Sequence, residues 1–180
     1  MLSLVLPLSD GRSVEVGAIG SEGMSGYTIA TNGGVAGPVQ LVGQVAGEMI
    51  RIERAPLLDV LDRCPQLRYQ ARRFATLMLA VASQNVACGQ MHQLSERLAR
   101  WLLTVKDLTK SPQFSLTQEF MAEMLGTNRP TVTLAALTLS NAGLIRYSRG
   151  RIQILDVQGL EDSSCECYRS LRAEYDGLTA

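Results

Sequence analysis

Residues 115–144 have the sequence S-L-T-Q-E-F-M-A-E-M-L-G-T-N-R-P-T-V-T-L-A-A-L-T-L-S-N-A-G-L, in which two short helical patterns meet at a tight turn. Thr117 supplies a side-chain oxygen that can cap the first helix, and Gly126 ends it. The apolar residues of this first helix recur at the spacing of one buried helical face, and they are Phe120, Met121, Met124 and Leu125.

The second helix begins after a reversal of the chain at Gly126 and Thr127. Asn128 can cap it, and Pro130 is tolerated in its first turn because amide hydrogens there have no partner within the helix. A helix, a short turn that contains glycine and a second helix form the helix-turn-helix unit, whose second helix enters the major groove of DNA. The residues expected on the buried face of the second helix are Val132, Ala135, Ala136 and Leu139.

Two alternating apolar and polar runs follow, and they predict a β-hairpin. The runs are L-I-R-Y-S and R-I-Q-I-L, joined by a turn at Gly150. Residues 124–155 contain four arginines and no acidic residue, although the formal net charge of the chain is zero. A local basic surface of this kind indicates contact with phosphate groups. The four arginines are Arg129, Arg146, Arg149 and Arg151.

The predicted hairpin would form a wing beside the helix-turn-helix. Residues 116–144, together with the R-Y-S-R-G-R-I sequence of this wing, resemble the carboxy-terminal domain of Crp/Fnr-type bacterial transcription regulators. Together with the helix and the small β-domain upstream, the resemblance covers nearly the whole chain. It implies an α+β fold with an amino-terminal partial β-roll (jelly-roll-like), a long dimerisation helix and a carboxy-terminal winged helix-turn-helix. We expect these parts at residues 1–63, 64–92 and 93–180.

The amino-terminal part shows the alternation of a small sheet. Residues 2–19 predict a hairpin around a Ser-Asp-Gly turn, and a glycine-rich stretch follows at 20–26. Further strands are expected at 39–45 and 48–52, with a loop at Asn32-Gly33-Gly34, which gives about five short strands. Because so small a sheet has a marginal core, we expect it to pack against the long helix or against a second subunit.

The β-roll lacks the contacts by which relatives bind a cyclic nucleotide. Those relatives carry a glutamate soon after a glycine turn for the ribose, and an Arg-Ser or Arg-Thr pair for the cyclic phosphate. Here Tyr27 follows Gly26, and neither arginine nor lysine occurs between Arg12 and Arg51. Cyclic-nucleotide binding is therefore disfavoured.

Two helices should follow the roll. Pro56 begins a short helix that ends near Cys64, and a longer helix of about seven turns comes next. The apolar seam of the longer helix predicts a coiled coil with the same helix of a second subunit, although burial in a monomeric core remains an alternative. The seam continues through Ala71, Gln84 and Met91, and the residues assigned to the dimer interface are Leu67, Phe74, Leu77, Val81 and Cys88.

A further helix is expected from Gln93, with Ser95 as its cap, and by analogy with the family residues 90–93 form a hinge. Residues 156–176 predict an amphipathic closing helix. The inward residues should be Leu98, Trp101, Leu102 and Val105 in the first of these helices, and Tyr168, Leu171 and Tyr175 in the second.

The cysteines suggest neither a disulfide framework nor a metal site. Cys64, Cys88, Cys165 and Cys167 are scattered, we expect no partner cysteine near His92, and a Cys-x-x-Cys pair is absent. We therefore expect no cofactor and a reducing, cytoplasmic setting. The apolar opening of the chain is too short to cross a bilayer, so no membrane association is expected.

The function predicted from these features is sequence-specific regulation of transcription by a homodimer bound to double-stranded DNA. The alternative is a dimeric interaction module whose winged domain docks a protein instead of DNA. RNA polymerase remains open as a further partner. Enzyme function is disfavoured because the sequence has one histidine, no motif that would cradle a phosphate and no nucleophile paired with a base.

The predicted DNA contacts fall into two groups. Arg129 follows the cap Asn128 at the start of the recognition helix, where its side chain can grip a guanine with two hydrogen bonds, and Thr131 and Thr133 are secondary readers. Residues of the first helix and the wing should hold phosphates, and these are Thr117, Gln118, Arg149 and Arg151.

Overall fold

The structure, a computed structural model, describes residues 1–32 and 37–179. The loop expected at Gly33 and Gly34 therefore lies outside the described residues. No helix in the described part of the chain combines the length and the apolar character needed to cross a bilayer.

A three-stranded antiparallel sheet forms the amino-terminal part. Strands β1 (Leu2–Pro7) and β2 (Ser13–Ile19) make the predicted hairpin, and β3 (Gln40–Gly43) pairs with the other edge of β1. The strand expected at 48–52 is wrong. This segment has left the sheet, so Ile50 is 99% exposed, and no strand of the described residues pairs with its backbone. Within residues 1–32 and 37–179 this sheet thus has three strands and not about five.

Helix α1 (Tyr27–Asn32) follows the glycine-rich stretch and was not predicted. The ring of Tyr27 packs edge-on against Phe74, with ring centroids 5.6 Å apart. Gly23 lies so close to the same phenyl ring that a Cβ atom at this position would clash with it. This glycine therefore serves close packing as well as turning the chain.

Two helices link the sheet to the rest of the chain, as the sequence predicts. Helix α2 (Arg54–Arg63) buries Leu57 and Leu61, and α3 (Pro65–Met91) follows directly, with Pro65 at its first position. Helix α3 ends before His92, whose extended backbone breaks the helix within the hinge expected at 90–93.

The winged domain begins with α4 (Leu94–Thr109), which has a capping box between Gln93 and Glu96. The cap is therefore Gln93 and not Ser95. A short strand that the sequence did not reveal, β4 (Gln113–Ser115), precedes α5 (Gln118–Met124) and α6 (Arg129–Asn141). The wing strands are β5 (Ile145–Ser148) and β6 (Arg151–Ile154), and the sheet has the order β4-β6-β5.

Two helices close the chain, α7 (Val157–Asp162) and α8 (Cys167–Thr179). The predicted inward face of the closing helix is confirmed, because Tyr168 and Leu171 are buried and Tyr175 is half-buried. The hydroxyl of Tyr175 donates a hydrogen bond to the carbonyl of Ala18 at 3.1 Å. Helix α8 therefore returns to the amino-terminal sheet.

The apolar face of α3 is covered within its own chain. Phe74, Leu77 and Val81 are each at most 4% exposed, in one core with residues of the sheet and with Leu171 of α8. Four residues that the sequence assigned to a subunit interface are thus buried within the chain in this structure: the sheet and α8 cover Phe74, Leu77 and Val81, and Cys88 packs with Cys165 and Cys167. Leu67 alone among the assigned interface residues is exposed.

Strand β2 also docks on the winged domain. The indole Nε1 of Trp101 in α4 donates a hydrogen bond to Glu15 Oε1 at 2.9 Å, and both residues are buried. Glu15 Oε2 has no hydrogen-bond partner among the described residues. Burial raises the pKa of Glu15 to about 7, and hydrogen bonding with Ser3 and Trp101 and the charge of Arg100 offset only part of this effect.

This buried carboxyl group should make stability depend on pH. Its pKa in the folded state lies above the ordinary value of 4.5, so the folded state carries no ionisation penalty below pH 4.5 and the full penalty above about pH 7. The penalty is on the order of 3 kcal/mol. We expect Glu15→Gln to be more stable than the wild type at pH 8 and to lose most of this advantage at pH 4.5, measured by urea unfolding.

The matched control is Glu48→Gln, at an exposed position. It should follow the wild type at both pH values. Parallel stability-against-pH curves for the wild type and Glu15→Gln would contradict the assignment.

Candidate nucleic-acid interface

The two helices of the helix-turn-helix begin at the predicted caps. The amide of Phe120 donates to Thr117 Oγ1 at 3.1 Å, which satisfies an amide at the start of α5. Asn128 Oδ1 accepts from the amide of Thr131 at 3.0 Å and from its hydroxyl at 2.7 Å. Both oxygens thus stabilise helix starts and are already engaged before any DNA is bound.

The turn between α5 and α6 is held from two sides. Gly126 has φ +62°, a left-handed conformation that favours glycine, and a Cβ atom there would lie 3.2 Å from Val14 Cγ2 of β2. Arg97 Nη2 of α4 donates to the carbonyl of Leu125 at 2.6 Å. The angle between α5 and α6 is therefore fixed by the packing of α4 and β2 around the turn.

Helix α6 has one buried face and one exposed face. The predicted buried residues are confirmed, and all four are at most 6% exposed: Val132, Ala135, Ala136 and Leu139. The small alanine side chains let α6 lie close to α4 and α5. The exposed face carries Arg129, Pro130, Thr131, Leu134 and Leu137, and it is the surface available to a DNA groove.

Thr133 links the two helices instead of projecting freely. Its hydroxyl is 2.9 Å from Gln118 Oε1 and 2.9 Å from the carbonyl of Arg129. Gln118 and Thr133 are half-buried, whereas the other six predicted DNA contacts are exposed. A shallow hollow brings Gln118, Arg129 and Thr133 together with the apolar side chains of Pro130, Leu134 and Leu137.

Arg129 is paired with an acidic residue that sequence reasoning did not consider. Its Nη1 lies 3.0 Å from Glu119 Oε1 of α5, and the two side chains are 62% and 66% exposed. Exposed ion pairs contribute about 0–1 kcal/mol, so this pair can be broken at small cost. Glu119 can hold the guanidinium of Arg129 near the start of α6 until a stronger partner replaces Glu119.

The wing presents its arginines at a tight turn. Arg149 has φ +50° and Gly150 has φ +76°, the positive values of a turn whose twist matches a two-residue hairpin. Arg149 and Arg151 are exposed, while Ile152 of β6 is buried in the domain core. The hairpin therefore packs one face inward and leaves its basic side chains on the surface.

The structure also brings together residues that the sequence separates. Cys88 Sγ lies 3.5 Å from Cys165 Sγ, and Cys167 Sγ lies 3.6 Å from Nδ1 of His92. The expectation that His92 has no partner cysteine is wrong, because the return of α8 places Cys165 and Cys167 beside it. The hydrogen bond between Cys88 and Cys165, together with the charge of Arg100, lowers the pKa of Cys88 below that of an ordinary thiol, and the same hydrogen bond raises the pKa of Cys165.

The fold and the interface together define a winged helix-turn-helix protein. Residues 96–163 match the family model of the Crp-like helix-turn-helix domain. This match covers α4, both helices of the helix-turn-helix and the wing. Among curated proteins, none matches the sequence at a significant level.

Experimental structures with similar folds cover most of the chain. A protein assigned to the Crp/Fnr family from Eubacterium rectale has a TM-score of 0.66 at 18% identity, over 90% of this chain and 76% of that one. FixK2 from Bradyrhizobium japonicum has a TM-score of 0.65 at 16% identity, over 91% of this chain and 83% of FixK2. A Crp/Fnr-family regulator from Thermus thermophilus has a TM-score of 0.62 at 20% identity, over 91% and 82%.

The resemblance seen in the sequence is confirmed by these findings. The chain carries a Crp-like helix-turn-helix domain, and it has the fold of Crp/Fnr-type transcription regulators from its amino-terminal sheet to its wing.

Proposed function

We propose that this chain is a sequence-specific, DNA-binding transcription regulator of the Crp/Fnr type that acts as a homodimer. The observation that carries the proposal is the surface made by α6 and the wing. An exposed recognition helix stands beside a hairpin with exposed arginines, within a segment, residues 124–155, that has four arginines and no acidic residue. Such a surface suits a duplex whose backbone is negatively charged.

Different side chains carry affinity and sequence preference in this proposal. Arg149 and Arg151 contact phosphates from the wing, so they strengthen binding to any sequence. Arg129 leaves Glu119 and grips one guanine in each half-site, a contact worth about 1–3 kcal/mol of discrimination. Thr131 is a secondary reader, and Leu134 can contact thymine methyl groups. Four further side chains position the helices and face the sugar-phosphate backbone of the DNA: Thr117, Gln118, Asn128 and Thr133.

The dimer surface lies on the side of α3 opposite to the one predicted from the sequence. Exposed positions there recur at alternating steps of 3 and 4, the spacing of a coiled-coil seam. The large apolar members are strongly exposed: Tyr69 is 62% exposed, and Leu79 and Val86 are each 69% exposed. We call this surface the α3 ridge, and it comprises Tyr69, Arg72, Thr76, Leu79, Ser83, Val86 and Gln90.

The α3 ridge supports pairing with the same helix of a second subunit. An apolar seam exposed along a 27-residue helix is covered when two copies pack side by side. Two winged domains would then be presented to two half-sites about one helical turn apart on DNA.

Binding of a cyclic nucleotide by the usual contacts is not part of the proposal. The segment between Arg12 and Arg51 contains no cationic side chain to pair with a phosphate. Regulation would therefore come from another signal.

A second candidate function rests on the exposed leucines of α6. Leu134 and Leu137 are 67% and 52% exposed on the face that would enter the groove. A winged domain that docks a protein partner would bury these side chains in an apolar contact. The two functions differ in the dependence of binding on salt.

Two arginine substitutions separate base reading from phosphate contact. Selection from a randomised DNA library should give wild type and Arg149→Ala the same motif, whereas Arg129→Ala should lose its preference at one base pair in each half-site. In salt titrations, Arg149→Ala should lower the slope of log affinity against log salt by about one unit. An unchanged motif for Arg129→Ala would refute the placement of the recognition helix, and no enriched motif for the wild type would favour protein docking.

Charges placed on either side of α3 test the position of the dimer surface. Leu79→Glu with Val86→Glu should give folded monomers that bind DNA weakly, because each charge would face its symmetry mate. Val81→Glu should instead unfold the chain, since Val81 is buried in the monomer. Sedimentation and circular dichroism distinguish these results.

Gln70→Glu is the matched control, an exposed charge on α3 outside the ridge, and it should remain dimeric. A dimer that survives the double substitution on the ridge would contradict the assignment.

A further inference from the structure

Four potential metal ligands converge at the end of α3. They are the thiols of Cys88, Cys165 and Cys167 and the imidazole of His92, and their ligand atoms all lie within 4.8 Å of one another. The shortest separations are 3.5 Å between the sulfurs of Cys88 and Cys165 and 3.6 Å between Cys167 Sγ and His92 Nδ1. In a tetrahedral zinc site with Zn–S bonds of about 2.3 Å, neighbouring sulfurs are about 3.8 Å apart. The cluster thus has the size of one coordination shell.

Two separate parts of the chain supply the ligands in pairs. Cys88 lies in the last turn of α3, and His92 is the residue that caps this helix, four positions later. Cys165 and Cys167 flank Glu166 where the chain enters α8. A metal ion at this point would join the end of α3 to the start of α8, across the hinge that leads into α4.

The groups around the cluster match those that surround bound metals. His92 Nε2, the ring nitrogen that faces away from the sulfurs, lies 3.0 Å from Glu166 Oε2. A carboxylate on the outer nitrogen fixes the tautomer and the orientation of a ligating histidine. Gln84 Nε2 donates to Cys167 Sγ at 2.9 Å, as amides do to coordinating sulfurs.

Burial and charge are also suited to a cation held by thiolates. The three cysteines are 0–5% exposed, so solvent has little access to the sulfurs. Three thiolates around a divalent ion leave a net negative charge. Arg100 interacts with Cys88 through its charge, is only 7% exposed, and has an Nε atom without a hydrogen-bond partner among the described residues. Half-buried Arg97 adds a second cation.

Simple apolar packing does not account for this arrangement. Buried cysteines often pack as small apolar residues, but such packing requires neither an imidazole aimed at the sulfurs nor a carboxylate behind it. Tetrahedral sites of sulfur and nitrogen ligands are typical of zinc, and a site with four protein ligands leaves no position for substrate.

We propose that Cys88, His92, Cys165 and Cys167 bind one structural zinc ion that fastens the long helix to the closing helix of the winged domain. Binding forms three Zn–S bonds and one Zn–N bond, and it releases to solvent the protons of those thiols that are protonated in the metal-free chain. The ion fixes the connection between α3 and α8. Through this connection a movement of the sheet and α3 is passed on to the DNA-binding surface.

Metal analysis of the full-length chain tests the proposal first. Protein purified with a reducing agent and without chelators should contain about one zinc ion per chain, measured by inductively coupled plasma mass spectrometry. Cys165→Ser and His92→Ala should lose most of it. The matched control is Cys64→Ser, which lies outside the cluster and should keep the full amount. A wild type without stoichiometric metal, or one that holds iron with acid-labile sulfide, would overturn the proposal.

Cobalt(II) provides a readout that does not depend on variants that fold. Titration of the metal-free wild type with cobalt(II) alone should give the intense visible bands of a tetrahedral ion and thiolate-to-cobalt charge-transfer bands, saturating at one equivalent. A weak octahedral spectrum would contradict the site.

Glu166→Gln should keep the tetrahedral spectrum while weakening zinc affinity roughly 10- to 100-fold in competition with a chelator, as expected for the partner of a ligating histidine. Unchanged affinity would refute the role given to Glu166.

Discussion

The structure depends on how the apolar face of α3 is covered. A sheet of three short strands is too small to form a core by itself, and it covers Phe74, Leu77 and Val81 only together with Leu171 of α8. Helix α8 follows the wing in sequence, so segments on both sides of the helix-turn-helix share this core. The helix-turn-helix and the wing therefore stand between two segments that are packed together, and their position is tied to these segments.

Strand β2 adds a second constraint at the DNA-binding end. Glu15 accepts a hydrogen bond from the indole of Trp101, and the neighbouring Val14 lies against the turn at Gly126. The hydroxyl of Ser13 donates a hydrogen bond to Glu123 of α5. Three successive residues of one strand thus contact α4, the turn and α5. A displacement of the sheet would move the recognition helix through direct packing, and the cluster at Cys88 and His92 lies where α3 ends and the chain turns into α4.

Local features of the sequence sufficed to predict the helix-turn-helix and the wing. The caps Thr117 and Asn128, the glycine at 126 and the alternation of the wing specify structure over a few residues, so each was predictable and each is observed. The long helix shows where such reasoning stops. Its periodicity identified the apolar face correctly but could not say whether the sheet, α8 or a second subunit covers that face. The sequence contained the exposed ridge as well, in Tyr69, Leu79 and Val86.

Features that join distant parts of the chain were not predictable. Cys88 and Cys165 are 77 positions apart, and only the return of α8 brings their sulfurs together. The pairing of Arg129 with Glu119 likewise depends on the angle between α5 and α6. The expected strand at 48–52 failed for a related reason, since a strand needs a neighbour and no strand of the described residues pairs with this segment.

In the proposed mode of DNA binding, two copies of this chain bind one two-fold symmetric DNA site through α6 and the wing. Native mass spectrometry of the complex on a short duplex that carries a single selected site tests this mode most directly. We expect two chains per duplex and no stable complex with one chain. A complex of one chain per duplex, or no complex with any selected duplex, would contradict it.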